Sequence, residues 1–107
     1  MEIKQYQIVI VNLDPKVGSE IRKTRPCLVI SPNEMNIHLR TITIVPITSK
    51  SKDYITRVKF ELEGNVNWIA LDQIRTIDLT RMIKIIGVLE MKEIRKVKSI
   101  IKETFVD

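Results

Sequence analysis

A chain of 107 residues with 44% hydrophobic content is long enough for one globular domain, 1–107, and too apolar for a disordered tail. Eighteen Lys and Arg against thirteen Asp and Glu leave a charge of +5, which in a chain this small points to an anionic partner: nucleic acid, membrane surface or acidic protein. A single Cys rules out an intramolecular disulfide, and no run approaches the ~18 apolar residues of a membrane span.

The opening residues, MEIKQYQIVIVNLDP, lack the basic and apolar regions of a signal peptide, so a cytoplasmic location and no membrane partner are expected. Tyr6 to Leu13 is rich in Ile and Val and reads as a strand closed by the turn signal Asp14-Pro15. A basic loop follows, and then Pro26 to Ser31, a short β-branched and leucine run ended by Pro32-Asn33. Cys27 lies inside that run and reads as a buried reduced thiol. Thr41 to Ile47, TITIVPI, alternates β-branched residues, with Pro46 marking an edge or a bulge. Arg57 to Leu62 alternates basic and apolar residues before a turn at Glu63-Gly64-Asn65. One longer strand is expected within Val66 to Ile77 and another over Ile83 to Leu89, with a helical turn at LTRM between them.

The end of the chain differs in kind. From Glu90 to Phe105 the apolar positions Ile94, Val97, Ile100, Ile101 and Phe105 recur at helical spacing. Acids stand early and lysines late, as the helix dipole prefers, and the basic side reads as a solvated face. Six short strands and a terminal helix, with no βαβ alternation, predict a strongly curved antiparallel sheet or small barrel. Several strands are apolar on both parities: Cys27 and Val29 alternate with Leu28 and Ile30. Two-sided burial in so small a domain predicts a homodimer.

The catalytic inventory is sparse. His38 is the only histidine and sits among apolar residues in a connecting segment, where a structural or solvent-facing role is the simpler reading. Neither a zinc site, a phosphate-binding glycine loop nor a dinucleotide fingerprint is present, so no metal or cofactor is expected. What remains is arginine and hydroxyls near strand ends. Lys16, Arg22, Lys23 and Arg25 lie in the first loop; Thr48, Ser49, Lys50 and Lys52 follow the third strand. Pro26 pushes Arg25 into extended geometry at the strand entrance. A guanidinium fixed there is suited to gripping phosphate, and the competing reading is a surface arginine paired with Glu20 or Asp72.

Four strings in order, VNLDPKVGSE running into RKTRPCLVISP, then IVPITS, ALDQIRTIDLTRM and the terminal helix, resemble the MazF/PemK (Kid) family of toxin endoribonucleases over nearly the whole length. The resemblance implies a mainly β fold with helices, an SH3-like barrel of strongly bent antiparallel strands plus a C-terminal α-helix, assembled as a homodimer. It implies metal-independent, sequence-specific cleavage of single-stranded RNA, mostly messenger RNA, and inhibition by a cognate antitoxin with a flexible acidic tail. By motif position, Arg25 and Thr48 are the catalytic candidates. Gly18, Ser19 and Glu20 form the rim of the groove, and Arg22, Lys23, Ser49 and Lys50 join them as substrate-binding candidates. Arg75 and Asp78, at the end of the DQIRTID segment, are assigned mainly to structure. Two positions depart from the family pattern: Tyr6-Gln7 stands where Gly followed by an acid is common, and Ala70 stands where some members carry an active arginine.

RNA brings its own nucleophile, the 2′-hydroxyl, so a site without a protein nucleophile is chemically adequate. Arg25 suits stabilisation of a phosphorane, and Thr48 suits a hydrogen bond to a phosphate oxygen. Trp68 reads as base stacking or, more simply, as core or dimer packing; Phe60 and Phe105 read as core. Two other readings share the fold: a non-catalytic protein poison of the CcdB kind, and an inactive nucleic-acid-binding barrel.

Overall fold

The computed structural model describes residues 2–13 and 24–106. Gly18, Ser19, Glu20, Arg22 and Lys23 lie outside the described residues. The elements run β1 (Gln7–Asn12), β2 (Thr24–Val29), α1 (Asn33–His38), β3 (Thr41–Thr48), β4 (Arg57–Leu62), β5 (Asn65–Ala70), β6 (Arg75–Asp78), β7 (Met82–Val88) and α2 (Met91–Ile101). A 3₁₀ turn at Leu79–Arg81 joins β6 to β7, and a π-helical stretch at Lys102–Val106 follows α2.

All strand pairs are antiparallel, in the order β4-β5-β3-β2-β1-β7, with β6 also on β3. The curl originates at two places. Along β3, one edge takes β2, while the other takes β6 at Thr41–Ile44 and then β5 at Ile47–Thr48, so the strand serves two sheet halves. Between β1 and β7 the register shifts twice, at Ile8/Val9 and Ile10/Val11, and such bulges bend the sheet. The result is the curled, mainly β architecture with a C-terminal helix that the sequence predicts.

Both faces of the sheet are apolar within the single chain. On one, Ile8, Leu28, Val45, Ile47, Val58, Phe60 and Ile69 pack against Val97 of α2, with Ile94, Ile100 and Ile101 beside them. On the other, Val9, Val11, Cys27, Val29, Ile42, Ile44 and Ile77 pack together with Ile3. Cys27, Leu28 and Val29 are all 0% exposed without any partner chain. The two-sided burial read from the sequence is therefore satisfied inside one protomer, and it carries no argument for a second copy.

Three local features depart from the sequence expectation. A short helix, α1, occupies the segment after Pro32-Asn33, anchored by a buried polar knot. Ser31 Oγ donates to Asn36 Oδ1, Asn36 Nδ2 donates to the Ser31 carbonyl at 3.0 Å, and the Thr43 N–H donates to Ser31 Oγ at 3.1 Å. The strand expected within Val66 to Ile77 is two strands, β5 and β6, separated by a corner at residues 71–74. Phe105, expected in the core, is 53% exposed, because the wider π turn moves it off the stripe that Ile94 begins. The β4–β5 hairpin turns as expected, through left-handed Glu63 (φ 52°) and Gly64 (φ 82°). No helix among the described residues is long and apolar enough to cross a membrane.

Candidate functional site

The site is assembled by strand register. β2 and β3 pair as Cys27↔Pro46, Leu28↔Val45 and Val29↔Ile44. The ladder stops at Pro46, which has no N–H to offer. Beyond that pair β3 passes to β5, so Arg25 and Thr48 each lie two residues past the last β2–β3 pair. Arg25, Cys27 and Val29 share one face of β2, and Ile44, Pro46 and Thr48 share the matching face of β3, so the parity needed for the two candidates to converge is met. The row continues across the sheet, because Thr48 pairs with Trp68 on β5 and Trp68 pairs with Lys59 on β4. Thr48, Trp68 and Lys59 thus stand in line on the face opposite α2, and Arg25 lies on the same face of β2 beyond the last β2–β3 pair.

Arg25 is exposed at the start of β2, opposite Val11 of β1. Neither partner of the competing surface-pair reading is shown to hold it. Asp72 is engaged elsewhere, accepting from Arg57 Nε at 2.8 Å and Arg57 Nη2 at 3.1 Å, and Glu20 lies outside the described residues. Among the described residues no ion pair uses Arg25. A cavity of about 330 Å³ opens beside it, lined by Leu13, Ile44, Pro46, Gln73, Ile74 and a second guanidinium, Arg75. Burial pushes the Cys27 thiol up to about 12, while the nearby charges of Arg25 and Arg75 pull it the other way. Both cations are therefore close to the same buried sulfur. The thiol is buried and protonated, as expected of a core cysteine.

Thr48 is half-buried at the end of β3. Its hydroxyl donates to the Lys50 carbonyl at 3.1 Å and lies 3.2 Å from the Lys50 N–H, which donates to it, so the hydroxyl is held by the turn that follows. Ser49 and Lys50 are exposed on that turn.

The DQIRTID segment divides into roles. Asp72 is a brace: besides Arg57 it accepts from Thr56 Oγ1 at 3.1 Å, and hydrogen bonding to Arg57 holds its carboxyl below the usual carboxylate value. Arg57 also donates to Ser51 Oγ at 3.1 Å and lies over the Tyr54 ring. Asp78 caps the 3₁₀ turn, accepting from the Thr80 N–H at 2.9 Å and Thr80 Oγ1 at 2.8 Å. Arg75 is the residue of this segment that reaches the candidate site. It pairs through the backbone with Ile44, and its exposed guanidinium shares the Arg25 cavity. Only the register of β6 on β3 reveals this, and the sequence carries no signal for it.

Ala70, at the position where the family pattern has a second arginine, is 1% exposed and stands opposite Arg57 across β4 and β5. Trp68 belongs to neither core cluster; it is half-buried on the open face. His38 is exposed at the end of α1.

The fold and site define a small curled β domain whose open face presents cations, a held hydroxyl and an indole in one row. The sequence matches the family model described as PemK-like, MazF-like toxin of type II toxin-antitoxin system over residues 4–105, and the chain belongs to that family. It is 32% identical over 83 residues to the Endoribonuclease PemK of Escherichia coli, a match taking in 73% of this chain and spanning 62% of that relative's length. Among solved structures it is similar to MazF from Deinococcus radiodurans, with a TM-score of 0.82, 22% identity, and coverage of 100% of this chain and 99% of that one. The Mycobacterium tuberculosis toxin MazF-mt6 gives a TM-score of 0.79 at 24% identity, covering 94% of this chain and 96% of that one. A MazE-MazF structure from Deinococcus radiodurans gives 0.81 at 23% identity, covering 96% and 95%.

Proposed function

We propose that the chain is the toxin of a type II toxin–antitoxin pair, a cytoplasmic homodimeric endoribonuclease that cuts single-stranded RNA, mainly messenger RNA, at specific sequences without a metal or cofactor. The observation that supports this reading is a cavity lined by two guanidinium groups, Arg25 and Arg75, at the end of the β2–β3 ladder whose strands carry Arg25 and Thr48 on matching faces. Family membership and the endoribonuclease name of the Escherichia coli relative support it. In the proposed reaction the substrate 2′-oxygen attacks the adjoining phosphorus and loses its proton as the new P–O bond forms. The bond from phosphorus to the 5′-oxygen breaks, and that oxygen takes up a proton. The products are a 2′,3′-cyclic phosphate and a 5′-hydroxyl.

Arg25 supplies charge where the phosphorane gathers it, and Thr48 hydrogen-bonds a non-bridging oxygen. Gly18, Ser19, Glu20, Arg22, Lys23, Ser49 and Lys50 are assigned to the groove for the RNA strand. A cognate antitoxin with an acidic flexible tail would block that same basic face, and the MazE-MazF neighbour supports such a partner. A homodimer accords with large exposed apolar side chains such as Ile37 (62%) and Val88 (65%).

The test is incubation of the pure protein with single-stranded RNA in EDTA, followed by analysis of the ends. Cuts at a fixed sequence, bearing cyclic phosphate ends, are expected, and Arg25→Ala should lower the rate by about 10²- to 10³-fold while the protein stays folded. Intact RNA across many sequences would sink the ribonuclease reading and return the choice to a protein poison. Wild-type rates in both Arg25→Ala and Thr48→Ala would sink the site.

A further inference from the structure

Trp68 is a large side chain that neither core cluster includes and that the proposed chemistry does not use. It is the only tryptophan in the chain. It stands next to Thr48 in the β3–β5 register, on the face that Arg25 shares. Its ring is fixed at two points: Nε1 donates to Asp53 Oδ1 at 3.1 Å, and Lys59 Nζ lies 5.9 Å from the ring centroid. A tryptophan buried for packing would sit in one of the two apolar clusters, and this one sits in neither. An indole locked in place beside a held hydroxyl, with an ammonium at its ring, has the parts of a nucleobase platform: a flat π-face for the base and a cation for its phosphate.

We infer that Trp68, with Lys59, is the stacking platform that seats a base of the RNA next to the scissile phosphate. Trp68 pairs directly with Thr48, so a phosphate held at the Thr48 hydroxyl leaves the base of an adjoining nucleotide within reach of the indole. Asp53, by holding Nε1, keeps the ring from turning away. Stacking tolerates any base, so the platform adds affinity. This inference rests on the RNA-cleaving reading, and its test separates the two.

As the sole tryptophan, Trp68 reports on itself. The wild-type protein is titrated with a mixed-sequence 2′-O-methyl RNA oligomer, which binds without being cut, and with inorganic polyphosphate, which has charge but no bases. Saturable quenching of indole emission by the RNA and not by polyphosphate is expected. Trp68→Leu should weaken binding of labelled RNA, and raise KM for cleavage, by about tenfold, while kcat stays within about threefold and Trp68→Phe restores most of the loss. RNA that is bound and cut with the emission unchanged would overturn the platform and leave the ribonuclease intact, as would Trp68→Leu behaving as wild type. Quenching by the 2′-O-methyl RNA, with unmodified RNA of many sequences never cut, would remove the ribonuclease and keep the platform. RNA neither bound nor cut would remove both. The wild-type titration decides even if Trp68→Leu fails to fold.

Discussion

At the scale of single residues, neighbours in space decide what the letters in sequence leave open. Arg25 was singled out in the sequence by the family motif and by Pro26, which fixes its backbone, whereas Arg75 joins the same cavity only because β6 lies across β3 from β2. Cys27 shows the opposite case, where an apolar run alone announced a buried thiol. Its folded value of about 12 lies above the ordinary 9.0, so the folded state holds the proton more tightly than the unfolded one. That contribution to stability is full below pH 9.0 and is lost as pH rises towards 12. At mildly alkaline pH the native thiol should react with a disulfide reagent about a thousandfold more slowly than the denatured chain, reflecting its scarce thiolate. Labelling of native protein at the denatured rate, followed by absorbance, would show that Cys27 is open and ionised.

Among the elements, periodicity found what is periodic and missed what is held by polar contacts. The helix over Glu90 to Phe105 announced itself by its apolar stripe, although its last turn widens and frees Phe105. The six-residue α1 has no stripe, and it exists because Asn36 and Ser31 satisfy each other beneath it. The corner between β5 and β6, residues 71–74, has neither Gly nor Pro, so its break is invisible without the Arg57–Asp72 brace. That brace ties the start of β4 to the corner and so holds the β4–β5 hairpin, which carries Trp68 and Lys59. Asp72→Asn keeps the shape and removes the charge. It should cost about 1 kcal/mol at neutral pH, a modest figure because the Asp72 side chain is 37% exposed. Since pairing lowers the carboxyl's value, the stabilisation is present above the ordinary 3.8 and lost as pH falls through the lower folded value. Urea unfolding of both proteins should therefore show a gap at neutral pH that closes in strong acid. A gap that persists there would assign the effect to something other than the ion pair.

For the whole molecule, the charge of +5 says little until the sheet sorts it onto faces. α2 and its lysines cover the face that holds Val97, and Lys92 there lies within 4.0 Å of Glu90 and 3.9 Å of Glu93. The opposite face carries Arg25, Arg75 and Lys59, with Lys50 on the turn after Thr48, and no ion pair among the described residues uses them. The basic helix was the more conspicuous feature in the sequence, yet the row set by register is the better place for a polyanion. Salt dependence distinguishes the two faces. Each phosphate neutralised on a single strand contributes about −0.7 to the slope of log K against log salt. Lys59→Ala and Arg75→Ala should each flatten that slope for single-stranded RNA by about 0.7, and together by about twice that. Lys98→Ala with Lys102→Ala, which removes the same charge from α2, should leave the slope unchanged. Fluorescence anisotropy of labelled RNA across a salt series measures all three. Equal flattening by the α2 pair would mean that the RNA follows net charge rather than the row, and the face opposite α2 would lose its claim as the binding surface.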